Sequence, residues 1–162
     1  MTVTVQATIQ ALFSIIETYP AADTPAIGEQ LLNYSQFNKT IGALTASTSP
    51  PVSMIYAEKI TSTQTLDFTA LARALGDDLD TTGLKLQMIW VENLSTTNVI
   101  DVEQGAANPY VINDADDIQV QIGGALLLYF GDDQLADVSA TVKNLLFTMT
   151  ASESANVILL FG

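Results

Sequence analysis

The chain has 162 residues, five cationic and 18 acidic side chains, a net charge of −13, and 48% hydrophobic but only 14% charged residues. A disordered acidic tail would be poor in apolar residues, so this composition predicts a folded domain, or one domain with an arm, around a sizeable core. The absence of Cys and His removes thiolate chemistry, disulfides, imidazole proton shuttles and zinc cages, and five scattered cations give little to neutralise phosphates, so nucleic acid is not expected as a partner.

Residues 2–16 alternate, with Val3, Val5, Ala7, Ile9, Ala11, Phe13 and Ile15 on one side and Thr2, Thr4, Gln6, Thr8, Gln10 and Ser14 between them. This is the period of a half-buried strand, and at roughly 3.3 Å per residue it would extend about 45 Å. It reads as one strand bent by a bulge, as two strands in succession, or as an arm reaching a neighbouring subunit. The same stretch has no basic n-region and no continuous apolar run, so no targeting segment is expected. The loop PAADTPAIGEQ and a strand-like LLNYSQFNKTIG follow, and then the Ser/Thr/Pro-rich connection from Gly42 to Ser53. The expected organisation is an N-terminal strand or arm with a hairpin over residues 1–45, contributing to assembly, and a sandwich body over 54–162.

From Met54 the pattern is regular. MIYAEKI and TQTLDF read as strands, TALARAL as a short helix-like stretch, and LKLQMIWVEN as the strongest strand. In the last, Leu84, Leu86, Met88 and Trp90 are expected on one face and Ile89 and Val91 on the other, which predicts a central strand covered on both sides. VIDVE, YVI, IQVQI, ALLLYF, TVKNLLFTMT and ANVILLFG continue the series, with turns every 8–12 residues. That spacing, rich in Thr (19 residues), Val and Ile, predicts an all-β antiparallel sandwich of jelly-roll type. The longest apolar run, Ala125 to Phe130, is far short of the roughly 20 residues that cross a bilayer, so no membrane is expected as a partner. Cutting the last six residues is expected to leave insoluble protein.

Three acidic clusters (Asp77, Asp78 and Asp80; Asp114, Asp116 and Asp117; Asp132 and Asp133) fall in predicted turns, where Asp side chains bond nearby amides. The functional alternative is calcium. Asp78-Leu79-Asp80-Thr81-Thr82-Gly83 resembles the first half of an EF-hand loop, but Thr82 replaces a ligand and the twelfth position is Ile89 instead of a bidentate Glu. The EF-hand reading therefore fails, leaving Asp78, Asp80, Asp114 and Asp116 as candidates for a simpler oxygen cage. No catalytic and no cofactor-binding residues are proposed. A glycosidase pair needs two acids at a fixed separation in a cleft, and the single Trp, Trp90, reads as core more readily than as a sugar platform. Gly123-Gly124, between two strands, reads as a hairpin turn.

The order of segments resembles small virion-associated β-sandwich proteins of tailed bacteriophages and prophages. The similarity runs through MIYAEKITSTQTLDFTALARAL, LKLQMIWVENLSTTNVIDV, VINDADDIQVQIGGALLLYF and the closing hairpin VKNLLFTMTASESANVILLFG, across residues 30–162. It implies a non-enzymatic structural protein, decoration- or fibre-like, located in the virion after assembly in the host cytoplasm. It also implies a homo-oligomer whose partners are other virion proteins such as the major capsid protein. Residues 2–16 are expected to make intersubunit contacts. Two rival readings stay open: a carbohydrate- or host-surface-binding module, which would need Tyr34, Tyr56, Tyr110 and Tyr129 to converge on one face, and an enzyme that uses carboxylates.

Overall fold

A computed structural model of the chain describes residues 6–11, 16–19, 30–33, 39–73, 77–113, 117–131, 135–150 and 153–162. The contacts divide the chain into a smaller unit, Ala7–Leu44, and a larger one that includes Thr45–Gly162. In the smaller unit β1 (Ala7–Ala11) pairs antiparallel with β4 (Lys39–Leu44), with an irregular register between Ala7 and Ile9. A separate ribbon joins β2 (Ile16–Tyr19) to β3 (Gln30–Asn33). The alternating segment 2–16 thus supplies β1 and enters β2, two strands in different sheets, while residues 2–5 and 12–15 lie outside the described residues.

The larger unit carries β5 (Met54–Ile60), β6 (Gln64–Asp67), β7 (Leu86–Asn93), β8 (Ile100–Gln104), β9 (Asp117–Val120), β10 (Ala125–Tyr129), β11 (Asn144–Thr148) and β12 (Ala155–Phe161). They form two antiparallel four-stranded sheets, β10-β7-β12-β5 and β6-β11-β8-β9. With these eight strands numbered one to eight, the orders are six-three-eight-one and two-seven-four-five, which is the jelly-roll arrangement of two sheets. The fold is an all-β antiparallel sandwich, and among the described residues there is no helix.

The strands form where alternation and β-branched or aromatic residues coincide. In β5, Tyr56 and Ile60 are buried while Ile55, Ala57 and Lys59 point outward. The core between the sheets takes Ile89 and Val91 from β7, Val102 from β8, Phe147 from β11 and Val157 and Leu159 from β12. At one end Phe68 meets Tyr110 and Phe161 edge-on at centroid distances of 5.0 and 5.1 Å, geometry worth about 0.5–1.5 kcal/mol per pair beyond the buried area. The Tyr110 hydroxyl accepts from the Leu86 amide (3.0 Å) and donates to the Ala136 carbonyl (2.7 Å), tying a loop after β8 to the start of β7.

Five local expectations are corrected. TALARAL does not begin a helix: Asp67 accepts from the Thr69 and Ala70 amides through its side chain and backbone. Leu71 and Leu79 then exchange both backbone hydrogen bonds at 2.9 Å, which commits their amides to a bridge; residues 74–76 lie outside the described set. Tyr110 to Ile112 is irregular, with only the preceding Pro109 bridged, to Asn144. The Gly123 turn exists, with φ +63° and the Gly124 amide donating to the Gln121 carbonyl at 2.9 Å, but the strands it joins do not pair. β9 binds β8 and β10 binds β7, so the turn carries the chain from one sheet to the other. The closing pair β11 and β12 likewise belongs to opposite sheets. Among consecutive body strands, only β8 and β9 form a hairpin.

The fifth correction concerns β7. Its register against β12 shifts between Leu160 and Phe161, so Leu159 opposes Ile89, Leu160 opposes Met88, and Phe161 opposes Leu86. Gln87 is the extra residue of a bulge. Leu86 therefore shares the inner side with Ile89 and Val91, and the expected alliance of Leu86 with Met88 and Trp90 is broken.

Candidate functional site

The inversion at Gln87 puts Met88, Trp90 and Glu92 on the outer side of the sheet. The pairing registers then align three rows across its four strands. Ile55, Leu160, Met88 and Tyr129 form one; Ala57, Ile158, Trp90 and Leu127 the next; Lys59, Asn156, Glu92 and Ala125 the third. Leu160 and Met88 are buried. The middle row is more open: Leu127 is 42% exposed, Ala57 is exposed, and Trp90 and Ile158 are half-buried. Ile55, beside it, is 41% exposed. Apolar side chains thus run across the width of a sheet in contact with solvent.

A shallow depression of about 360 Å³ is lined by Ala57, Glu58, Lys59, Trp90, Asn156, Val157 and Ile158. Within it the bulky Trp90 and the small Ala57 stand on either side of Ile158. The third row supplies a polar border in which Asn156 Nδ2 donates to Glu92 Oε2 at 2.7 Å beside the exposed Lys59.

The outer face of the other sheet is built differently. Its outward positions include Asp67, Asp101, Glu103, Asp117, Thr65, Thr148 and Gln119, with Leu146 as the apolar exception. Glu103 and Asp117 stand directly opposite each other, a like-charge pair that weakens a sheet, and Thr148 Oγ1 donates to Glu103 Oε2. Lys143 Nζ lies 2.6 Å from Asp67 Oδ2. Partial burial pushes the Asp67 carboxyl up, but hydrogen bonds from Lys143 and Thr69 outweigh it and hold the group below its ordinary value.

Of the calcium candidates, Asp78 and Asp80 lie in the exposed turn before Gly83, and Asp114 and Asp116 lie outside the described residues. Asp80 Oδ1 accepts from the Thr82 amide at 2.9 Å and from the Thr82 hydroxyl at 2.6 Å, bonds that hold its carboxyl below the ordinary value. Arg73 meanwhile donates twice to the Asp77 carbonyl, at 2.8 and 2.6 Å. Both are turn-forming roles. Among the described residues no group of three or more acids is arranged to hold a metal ion.

The tyrosines do not converge. Tyr56 and Tyr110 are in the core, Tyr129 is on the outer face, and Tyr34 lies outside the described residues. Burial raises the Tyr56 hydroxyl, helped by the Glu58 carboxylate, and pushes the Tyr110 hydroxyl up to about 12. Trp90, expected in the core, is half-buried on the same outer face as Tyr129. The sequence did carry a signal for this, since Glu92 has the same parity as Trp90 and a charged side chain marks the outward side of a strand.

In comparisons with known proteins, no protein-family model, no curated protein and no solved structure matches the chain.

Proposed function

We propose that this chain is a non-enzymatic structural component of a tailed-bacteriophage particle, a jelly-roll subunit on the exterior that decorates or stabilises the capsid. Its work is docking. The observation that carries the reading is the outward apolar row Ala57–Ile158–Trp90–Leu127, because a contiguous apolar patch on an otherwise acidic protein is a mark of an interaction surface. Jelly rolls recur in viral shells, and a net charge of −13 favours solubility before assembly. In this reading the subunit self-associates, residues 1–45 contribute to assembly, the partners include the major capsid protein, and the destination is the virion. The test is to purify particles from cells producing the phage and look for the chain by mass spectrometry and antibody labelling in the electron microscope. Stoichiometric labelling of the particle exterior is expected; particles lacking the chain would overturn the reading.

A second reading has one observation in its favour. Trp90 beside Asn156, Glu92 and Lys59 combines a flat apolar face with hydrogen-bonding groups, the pairing that a sugar ring can use. Quenching or enhancement of Trp90 emission by oligosaccharides of the host surface would favour it.

A further inference from the structure

Resting on the docking role above, we propose that the outer face of the β10-β7-β12-β5 sheet pairs with the same face of a second copy, about a two-fold axis running along β12. The argument starts from what the face offers to itself. A half-turn about β12 leaves position along the strands unchanged and exchanges the strands on either side, so β7 of each copy lies over β5 of the other. Three of the four members of the middle row then meet a partner, while Leu127 on β10 falls beyond the other copy's β5. The bulky Trp90 falls over the small Ala57. Ile158 meets Ile158 on the axis. In the third row Glu92 falls over Lys59, twice by symmetry, with the two Asn156 side chains between them. Opposed sheets stand about 10 Å apart, a gap that a Lys and a Glu side chain span together.

An isologous interface must be self-complementary, and this face is so in the charges of its third row and in the apolar residues of its middle row on β5, β12 and β7. Other in-plane axes lose that. An axis along the middle row puts Glu92 over Met88. An axis midway between β7 and β12 puts Glu92 over Asn156 and leaves Lys59 over Ala125. The opposite face of the sandwich has no such solution, because Asp101, Glu103 and Asp117 would meet a second set of acids. Like-charge contacts of that kind act against wrong pairings, so one face is selected for self-pairing and the other is kept out of it.

The test uses the full chain and its two charge reversals, Lys59→Glu and Glu92→Lys, with melting curves to confirm folding. Sedimentation velocity across a concentration series is expected to show a reversible dimer for the wild type. Each reversal alone is expected to weaken association about tenfold or more, since like charges then meet twice. An equimolar mixture of the two variants is expected to recover a dimer containing one copy of each, because every cross-contact is again Lys against Glu. A wild type that stays monomeric, single variants that still dimerise, or a mixture that recovers nothing would each overturn the pairing. A monomeric wild type whose Trp90 emission responds to oligosaccharide would overturn it in favour of sugar binding. Particle labelling is a separate readout: a chain present in particles with no recovery in the mixture defeats the pairing alone, and recovery with unlabelled particles defeats the virion role alone.

Discussion

The two outer faces of the sandwich are made from the same number of strands over one shared core, yet they differ in kind. One shows solvent Ala57, Ile158, Trp90 and Leu127 in a row; the other shows it Asp67, Asp101, Glu103 and Asp117. Inner positions of the two sheets are interchangeable in chemistry, because each needs only to fill the space between them. Outer positions are free of that demand, so their composition reflects what lies outside. A face with a like-charge pair is shaped to stay in water. A face with an indole and two large aliphatic side chains in solvent contact is the one proposed above to be covered.

The sharpest way to break the comparison is to remove residues 157–162. β12 is hydrogen-bonded to both β5 and β7, and Val157, Leu159, Leu160 and Phe161 are all buried. At roughly 1.5–3 kcal/mol for each buried side chain the loss is comparable with a whole domain's stability of about 5–15 kcal/mol. Both faces should vanish together: the truncated chain is expected to be insoluble, and recovery of soluble protein with a cooperative calorimetric melt would contradict this.

Next in size is Tyr110→Phe, which asks whether the two sheets are one cooperative unit. The change strands the buried Leu86 amide and frees the Ala136 carbonyl, at a cost of roughly 1–3 kcal/mol by urea denaturation. The pH dependence follows from the raised hydroxyl. The folded state holds the proton up to about 12 while the unfolded chain releases it near 10, so above pH 10 the unfolded state binds fewer protons and stability falls with rising pH. That stability is full below pH 10 and lost as pH climbs toward 12; the Phe variant should show a shallower alkaline decline.

A matched pair then compares the faces directly. Ile158→Asp and Leu146→Asp each place a carboxylate at a half-buried outward site on an inner strand, one per sheet. Ile158→Asp is expected to weaken dimerisation about tenfold, or about 1.4 kcal/mol, and Leu146→Asp to leave it unchanged in sedimentation. Smallest is Lys143→Met. The Asp67 pair is partly exposed, so its loss is expected to cost no more than about 1 kcal/mol. Because Asp67 is held below its ordinary value, that contribution is present above the unfolded value near 3.8 and lost as pH falls through the lower folded one. Wild type and variant melts should therefore converge in acid.

Much of this fold was legible in the residues. MIYAEKI became β5 with the same bounds, and ALLLYF and ANVILLFG became β10 and β12, each one residue shorter. The local signals gave strands and turns because side-chain period and turn chemistry are short-range. They did not give partners. Gly123 and Gly124 make a tight turn whether the flanking strands pair or part, and only the two-sheet closure decides that they part. The site was misread for a related reason. Trp90 looked like core when the phase of Leu84 and Leu86 was carried forward, but the bulge at Gln87 resets it. That bulge is set by a distant partner, since Lys85 exchanges both backbone bonds with Gly162, and Gln87 Nε2 donates to the Gly162 carbonyl at 3.3 Å. No window around Trp90 contains Gly162.

Because Trp90 is the single tryptophan of the chain and stands in the middle row of the outer face, its accessibility reports on that face alone. Acrylamide quenching of Trp90 should fall, and its emission shift to the blue, as wild-type protein is concentrated, with no such change in Lys59→Glu. Quenching that stays constant from dilute to concentrated protein would contradict the claim that this face is covered by its own copy.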